Sequence, residues 1–131
     1  RCTYRRGIYM SMVHYYILPC LLLHDVNIFL QFMGIAFINA IIKFCICPYL
    51  SNRFPYVDSI LLRPNTNEYG MPSGHCQLYF ALVAYMPRDY FVPMVIYGCL
   101  IAHERVSSGK HTILQVLIGS VLGYMLGLLT N

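Results

Sequence analysis

Residues 28–47 run for twenty positions with a single charge, Lys43. At a rise of about 1.5 Å per residue, such a helix is about as long as the hydrocarbon core of a bilayer is thick. A run of this kind is either the buried core of a large soluble domain or a membrane span, and composition decides between them. Only 11% of the 131 residues are charged, 58% are hydrophobic, and mean hydropathy is +0.57. A soluble domain carries about 25% charged residues, so this chain has too few charges to cover a surface in water. An integral membrane protein is expected, as one domain over residues 1–131.

Four further apolar stretches give an all-α multi-pass bundle of about five helices. The first, residues 8–23, is interrupted by His14 and Pro19 and followed by His24 and Asp25 in a capped turn. After residues 28–47 come helices at 73–86, 90–102 and 111–129. Gly119, Gly123 and Gly127 recur every four residues in the last of these, giving one smooth face for close helix packing. Two polar stretches, 48–74 and 103–111, read as loops, the first with a short amphipathic piece over 56–62. Two helices separate them, so both emerge on the same side and can form one active face.

Charge and cysteine usage exclude other classes. The net charge is +4, but Arg1, Arg5 and Arg6 lie in the first six positions and no long basic run exists elsewhere. The expected partner is therefore anionic lipid rather than nucleic acid. Of the six cysteines only Cys45 and Cys47 are close in sequence, which is not a zinc pattern. They read as small buried hydrophobes. Ser107-Ser108-Gly109-Lys110 lacks the spacing of a P-loop, because Glu104 stands at the first glycine and His111 at the hydroxyl residue.

The chemistry concentrates in the two polar stretches. Pro72-Ser73-Gly74-His75 opens a helix, whose first-turn N–H groups lack intrahelical partners and form an anion cradle. Gly74 permits close approach and Ser73 can donate a hydroxyl. Arg63 and Arg105 offer planar forks to phosphate oxygens. Phosphoryl transfer asks for this kind of positioning and charge neutralisation. His111 stands one helical turn before Gln115, whose side-chain carbonyl can accept the Nδ1 proton and leave Nε2 free to attack phosphorus. His75 can protonate the leaving oxygen. No metal or other cofactor is required, and no carboxylate cluster is present to hold a metal.

Arg63-Pro64, Pro72-Ser73-Gly74-His75 and Arg105-x5-His111 resemble the three-part signature of the type 2 phosphatidic acid phosphatase superfamily. The resemblance implies a membrane phosphatase. It makes Arg63, Ser73, Gly74, His75 and Arg105 the phosphate-binding or acid residues, and His111 the nucleophile that forms a phosphohistidine. Three positions depart from the signature. Tyr56 stands where it has Lys, and Lys43 is the expected replacement in preference to Arg53. Glu104 replaces a Ser, and Gln115 replaces an Asp. Glu68-Tyr69-Gly70-Met71-Pro72, Gln77 and Gln115 are similar to the dolichyl diphosphatase branch. That likeness implies a polyprenyl diphosphate substrate and a lumenal face of the endoplasmic reticulum, whereas Arg1, Arg5 and Arg6 favour a cytoplasmic active face. A non-catalytic membrane scaffold or lipid binder that keeps the fold is the alternative.

Overall fold

The computed structural model describes residues 26–64 and 66–131. The expected first helix with His14 and Pro19, the capped turn at His24, the terminal arginines, Cys2 and Cys20 lie outside the described residues. α1 (Val26–Ile41) passes through a π-helical turn (Ile42–Ile46) into α2 (Cys47–Arg53), making one apolar helix of 28 residues. A 3₁₀ turn (Pro55–Val57) and the short α3 (Asp58–Leu61) follow. α4 is Gly74–Tyr85, α5 is Arg88–Ser107 and α6 is Ile113–Thr130. Among the described residues there is no strand, only an isolated antiparallel bridge between Leu62 and Tyr69.

Pro48 does not begin a loop, contrary to the sequence reading. Within an α-helix, proline lacks the N–H for the preceding turn and its ring crowds the carbonyl four residues back. Here the preceding turn is π-helical, with the Cys47 N–H on the Ile42 carbonyl, so Pro48 enters at the start of α2 and the helix continues to Arg53. The second expected loop is also shorter. α5 continues past Ala102 to Ser107, placing Glu104 and Arg105 on a helix rather than in a loop. It ends at Gly109, which adopts a left-handed φ of 69°. The Gly109 N–H bonds Val106 O at 3.0 Å and the Lys110 N–H bonds Arg105 O at 3.2 Å, the two bonds of a Schellman cap. Ser107-Ser108-Gly109 is thus a helix stop.

α4 is the central element. Cys76, Tyr79 and Val83 pack with Ile101 of α5 and Val116 of α6, while Ala81 and Leu82 pack with Phe32 and Ile35 of α1. The glycine ridge of α6 lies directly on α4. A Cβ on Gly119, Gly123 or Gly127 would stand 2.6, 1.9 and 2.6 Å from the carbonyl oxygens of Ser73, Gln77 and Ala81. At the end away from the histidines, Gln31 Nε2 donates to Thr130 O at 2.7 Å and the Tyr85 hydroxyl donates to Gln31 Oε1 at 2.8 Å.

The outward faces are apolar. Phe29, Leu30, Met33 and Phe37 on α1, with Leu117, Val121, Met125 and Leu129 on α6, are all exposed. A soluble protein buries the core helices that this composition would require, whereas here both long apolar helices keep most of their surface outside. That arrangement is a membrane protein's. Of the cysteines, Cys47 and Cys76 are buried as expected, but Cys45 and Cys99 are exposed on helices.

Candidate functional site

The two polar stretches meet at the N-termini of α4 and α6. Thr112 caps α6, its hydroxyl accepting the Gln115 N–H at 3.2 Å, and the Gln115 side chain returns to the Thr112 N–H at 3.2 Å. This capping box fixes the turn that carries His111. The His111 backbone N–H also bonds Arg105 O at 3.2 Å, so the C-cap of α5 sets the position of the imidazole.

Gln115 is completely buried and all of its amide hydrogen-bonding capacity is engaged. Nε2 donates to Ile60 O at 2.9 Å and to Leu62 O at 2.7 Å. Those two carbonyls require the nitrogen on that side, so the oxygen faces His111. His111 Nδ1 lies 3.2 Å from Gln115 Oε1 and must therefore be the protonated nitrogen, leaving a lone pair on Nε2. Gly70 packs so tightly here that a Cβ would stand 2.5 Å from Gln115 Oε1 and 2.7 Å from Arg63 Cγ.

The cradle is tied to the same point. Ser73 is the N-cap of α4, and its N–H bonds Gln115 O at 3.0 Å. Its hydroxyl is buried next to the Cys76 thiol. Gly74 and half-buried His75 form the first two positions of α4. From α1, Asn39 Nδ2 bonds the buried Gln77 Oε1 and Pro72 O, the latter at 3.4 Å. Asn39 and Gln77 thereby tie α1 to the start of α4; a polar residue inside an apolar helix is the signal by which the sequence could have shown them.

The cations surround the imidazole. Arg105 is buried, and its Nε lies 3.6 Å from Glu104 Oε2, whose other oxygen is 3.8 Å from Lys110. Arg63 donates to Glu68 at 2.9 Å across the small hairpin. Lys43 and Arg63 both line a cavity of about 560 Å³ with Asn39, Ala40, Glu68 and Tyr69. Arg53, at the exposed end of α2, is not among its lining residues. The structure therefore brings Lys43, rather than Arg53 or Tyr56, to the site. Among the described residues, no three His, Cys, Asp or Glu side chains cluster as metal ligands.

Burial pushes the His111 imidazole from 6.5 down to about 4; the Gln115 hydrogen bond opposes this, and the Lys43, Arg63 and Arg105 charges reinforce it. The ring is then neutral, with a lone pair on Nε2, throughout the physiological range. Since the folded value lies below the unfolded one, the unfolded chain takes up the proton first as pH falls. Stability present at neutral pH should decline between about pH 6.5 and pH 4 and level off below, by at most about 3 kcal/mol for this group. Histidine NMR of the detergent-solubilised protein checks the shift. The resonance missing from His111→Asn should titrate near pH 4; a value near 6.5 would contradict the buried, cation-ringed geometry.

The fold and site define a helical membrane protein in which His111, Arg63, Arg105 and the N-terminus of α4, with His75 in its first turn, are gathered by Gln115 and the cap of α5. The chain belongs to the PAP2 superfamily, which its residues 26–131 match. It is also similar to a lipid A 4′-phosphatase of Helicobacter pylori, with 37% identity over 67 residues, 47% of this chain and 34% of that protein. The chain thus spans about a third of the length of the curated relative it matches. No solved structure matches it.

Proposed function

We propose that this protein is a metal-independent lipid phosphatase working at the membrane surface through a phosphohistidine on His111. The observation that carries the reading is the buried neutral imidazole, held by Gln115 with Nε2 unprotonated and flanked by Lys43, Arg63 and Arg105. The phosphoryl group would sit against the α4 N-terminus, with Ser73 and Gly74 at its oxygens. His111 Nε2 attacks phosphorus as the bond to the leaving oxygen breaks, and His75 protonates that oxygen. Water, deprotonated by His75, then attacks the phosphohistidine; the P–N bond breaks, releasing inorganic phosphate and restoring both histidines.

For the substrate we infer a polyprenyl diphosphate, following the likeness of Glu68-Tyr69-Gly70-Met71-Pro72, Gln77 and Gln115 to the dolichyl diphosphatase branch. Placement in the endoplasmic reticulum membrane belongs to that finer reading. The similarity to a lipid A 4′-phosphatase favours a second substrate, a phosphorylated glycolipid. Phosphate release in EDTA from a polyprenyl diphosphate, lipid A and phosphatidate separates these. The polyprenyl diphosphate is expected to give the highest kcat/KM. A preference for lipid A transfers the substrate assignment to the second reading. Activity on none of them leaves the fold as a lipid-binding scaffold.

A further inference from the structure

One residue ties together three parts of the site. The side-chain oxygen of Gln115 meets His111 Nδ1 and its Nε2 holds the carbonyls of Ile60 and Leu62, immediately before Arg63. Its backbone carbonyl takes the Ser73 N–H, at the other end of the same segment. The stretch from Ile60 to Ser73 is therefore pinned at both ends by Gln115. Between the pins, the Gly70 and Met71 N–H groups both bond Leu61 O, at 2.8 and 3.3 Å, and the Arg63 N–H bonds Glu68 O at 2.8 Å. This internal ladder passes the position of the pins on to Arg63.

We propose that Gln115, beyond holding His111, is a positioning residue for the phosphate-binding Arg63, through the grip of its amide nitrogen on the two carbonyls just ahead of it. The inference rests on the phosphate-binding role given above to Arg63. It also accounts for an amide where the superfamily signature has a carboxylate. Two backbone carbonyls at 2.7 and 2.9 Å can be met only by a donor. A carboxylate could orient His111, but it would set oxygen against oxygen on the other side and free the segment that carries Arg63.

Double-mutant cycles test the coupling, read first by orthovanadate affinity, which needs no turnover, and then by kcat. The variants are compared in detergent after their helical content is checked. Gln115→Met, isosteric and neutral, should weaken vanadate binding about tenfold, as expected for one misplaced charge-assisted hydrogen bond. In an Arg63→Ala background the same change should have almost no further effect on vanadate. In a His111→Ala background it should keep most of its effect, since the Arg63 side is intact. Gln115→Glu, which retains the acceptor and loses both donors, provides the second variant. Its added charge weakens vanadate in every background, so the excess seen only where Arg63 is present is the coupling. Additive effects with Arg63→Ala in both variants would overturn the proposal. A wild-type protein that binds vanadate but releases phosphate from no lipid removes the phosphatase reading and leaves the cycles readable. Failure of the wild type to bind vanadate overturns both.

Discussion

Replacing His111 with alanine is expected to lower kcat by about 10⁴-fold or more on every phosphorylated substrate, as loss of a covalent nucleophile does. The fold should tolerate the change. Gln115 Oε1 still accepts from the Thr112 N–H, and its nitrogen still holds Ile60 O and Leu62 O, so no buried amide atom is orphaned. What disappears is the Nε2 lone pair, the proposed nucleophile. The cradle, Arg63 and Arg105 remain, so vanadate binding should persist while turnover does not. The contrast with His75→Ala is diagnostic. A general acid contributes about 10²–10⁴-fold, and less when the leaving group needs no proton. His75→Ala should therefore still release a burst of nitrophenolate from p-nitrophenyl phosphate as the phosphohistidine forms, with its hydrolysis left slow for want of the base, whereas His111→Ala should show no burst. Acid-labile label retained on the protein after a quench with ³²P substrate would report the phosphohistidine directly. A His111→Ala protein within tenfold of wild type on all substrates would rule out covalent catalysis at this residue.

The parts of this arrangement that sequence discloses are the ones written locally. Pro72-Ser73-Gly74-His75 announces a helix start because a proline, a hydroxyl and a glycine are each favoured there for separate physical reasons. The i, i+4 spacing of His111 and Gln115 implies a shared face whatever surrounds them. The glycine spacing at 119, 123 and 127 declares a close helix contact but not its partner. Errors arose where a local rule was overridden. Pro48 ends an ordinary α-helix, and only the π turn at Ile42–Ile46 lets the chain continue. Glu104 and Arg105 look like loop residues by polarity, yet the Gly109 cap lies downstream of them and holds them on α5. The donor side of Gln115 was not legible at all, since its partners are backbone carbonyls 53 and 55 residues away. Any residue type can supply a carbonyl, so no pattern marks Ile60 or Leu62 in advance.

Gly123→Ala should be the most destabilising glycine-to-alanine change among the described residues, through a contact that no side chain can relax. The new Cβ would lie 1.9 Å from Gln77 O, 2.6 Å from Gln77 C and 2.7 Å from Gln77 Cα, all of them backbone of α4. Relief requires α6 and α4 to separate. Alanine's better helix propensity returns about 1 kcal/mol, while forced overpacking costs about 1–3 kcal/mol or more where the neighbour is rigid. The buried Gln77 side chain compounds the effect, because moving α4 pulls its amide from Asn39 and from Ile35 O. Gly34→Ala is the matched control: it lies on α1, and a Cβ there meets nothing within 4 Å. It should be neutral or slightly stabilising. Thermal unfolding of the two variants in the same detergent measures the difference. Activity should fall in Gly123→Ala even below its unfolding temperature. One helical turn from the clash, Gly119 meets Ser73, so separating the helices stretches the Ser73–Gln115 hydrogen bond that sets the cradle against His111. Misplacement of about 1 Å at a reacting centre can lower the rate about 100-fold. A Gly123→Ala protein as stable and active as Gly34→Ala would show that α4 and α6 do not approach this closely in the bilayer.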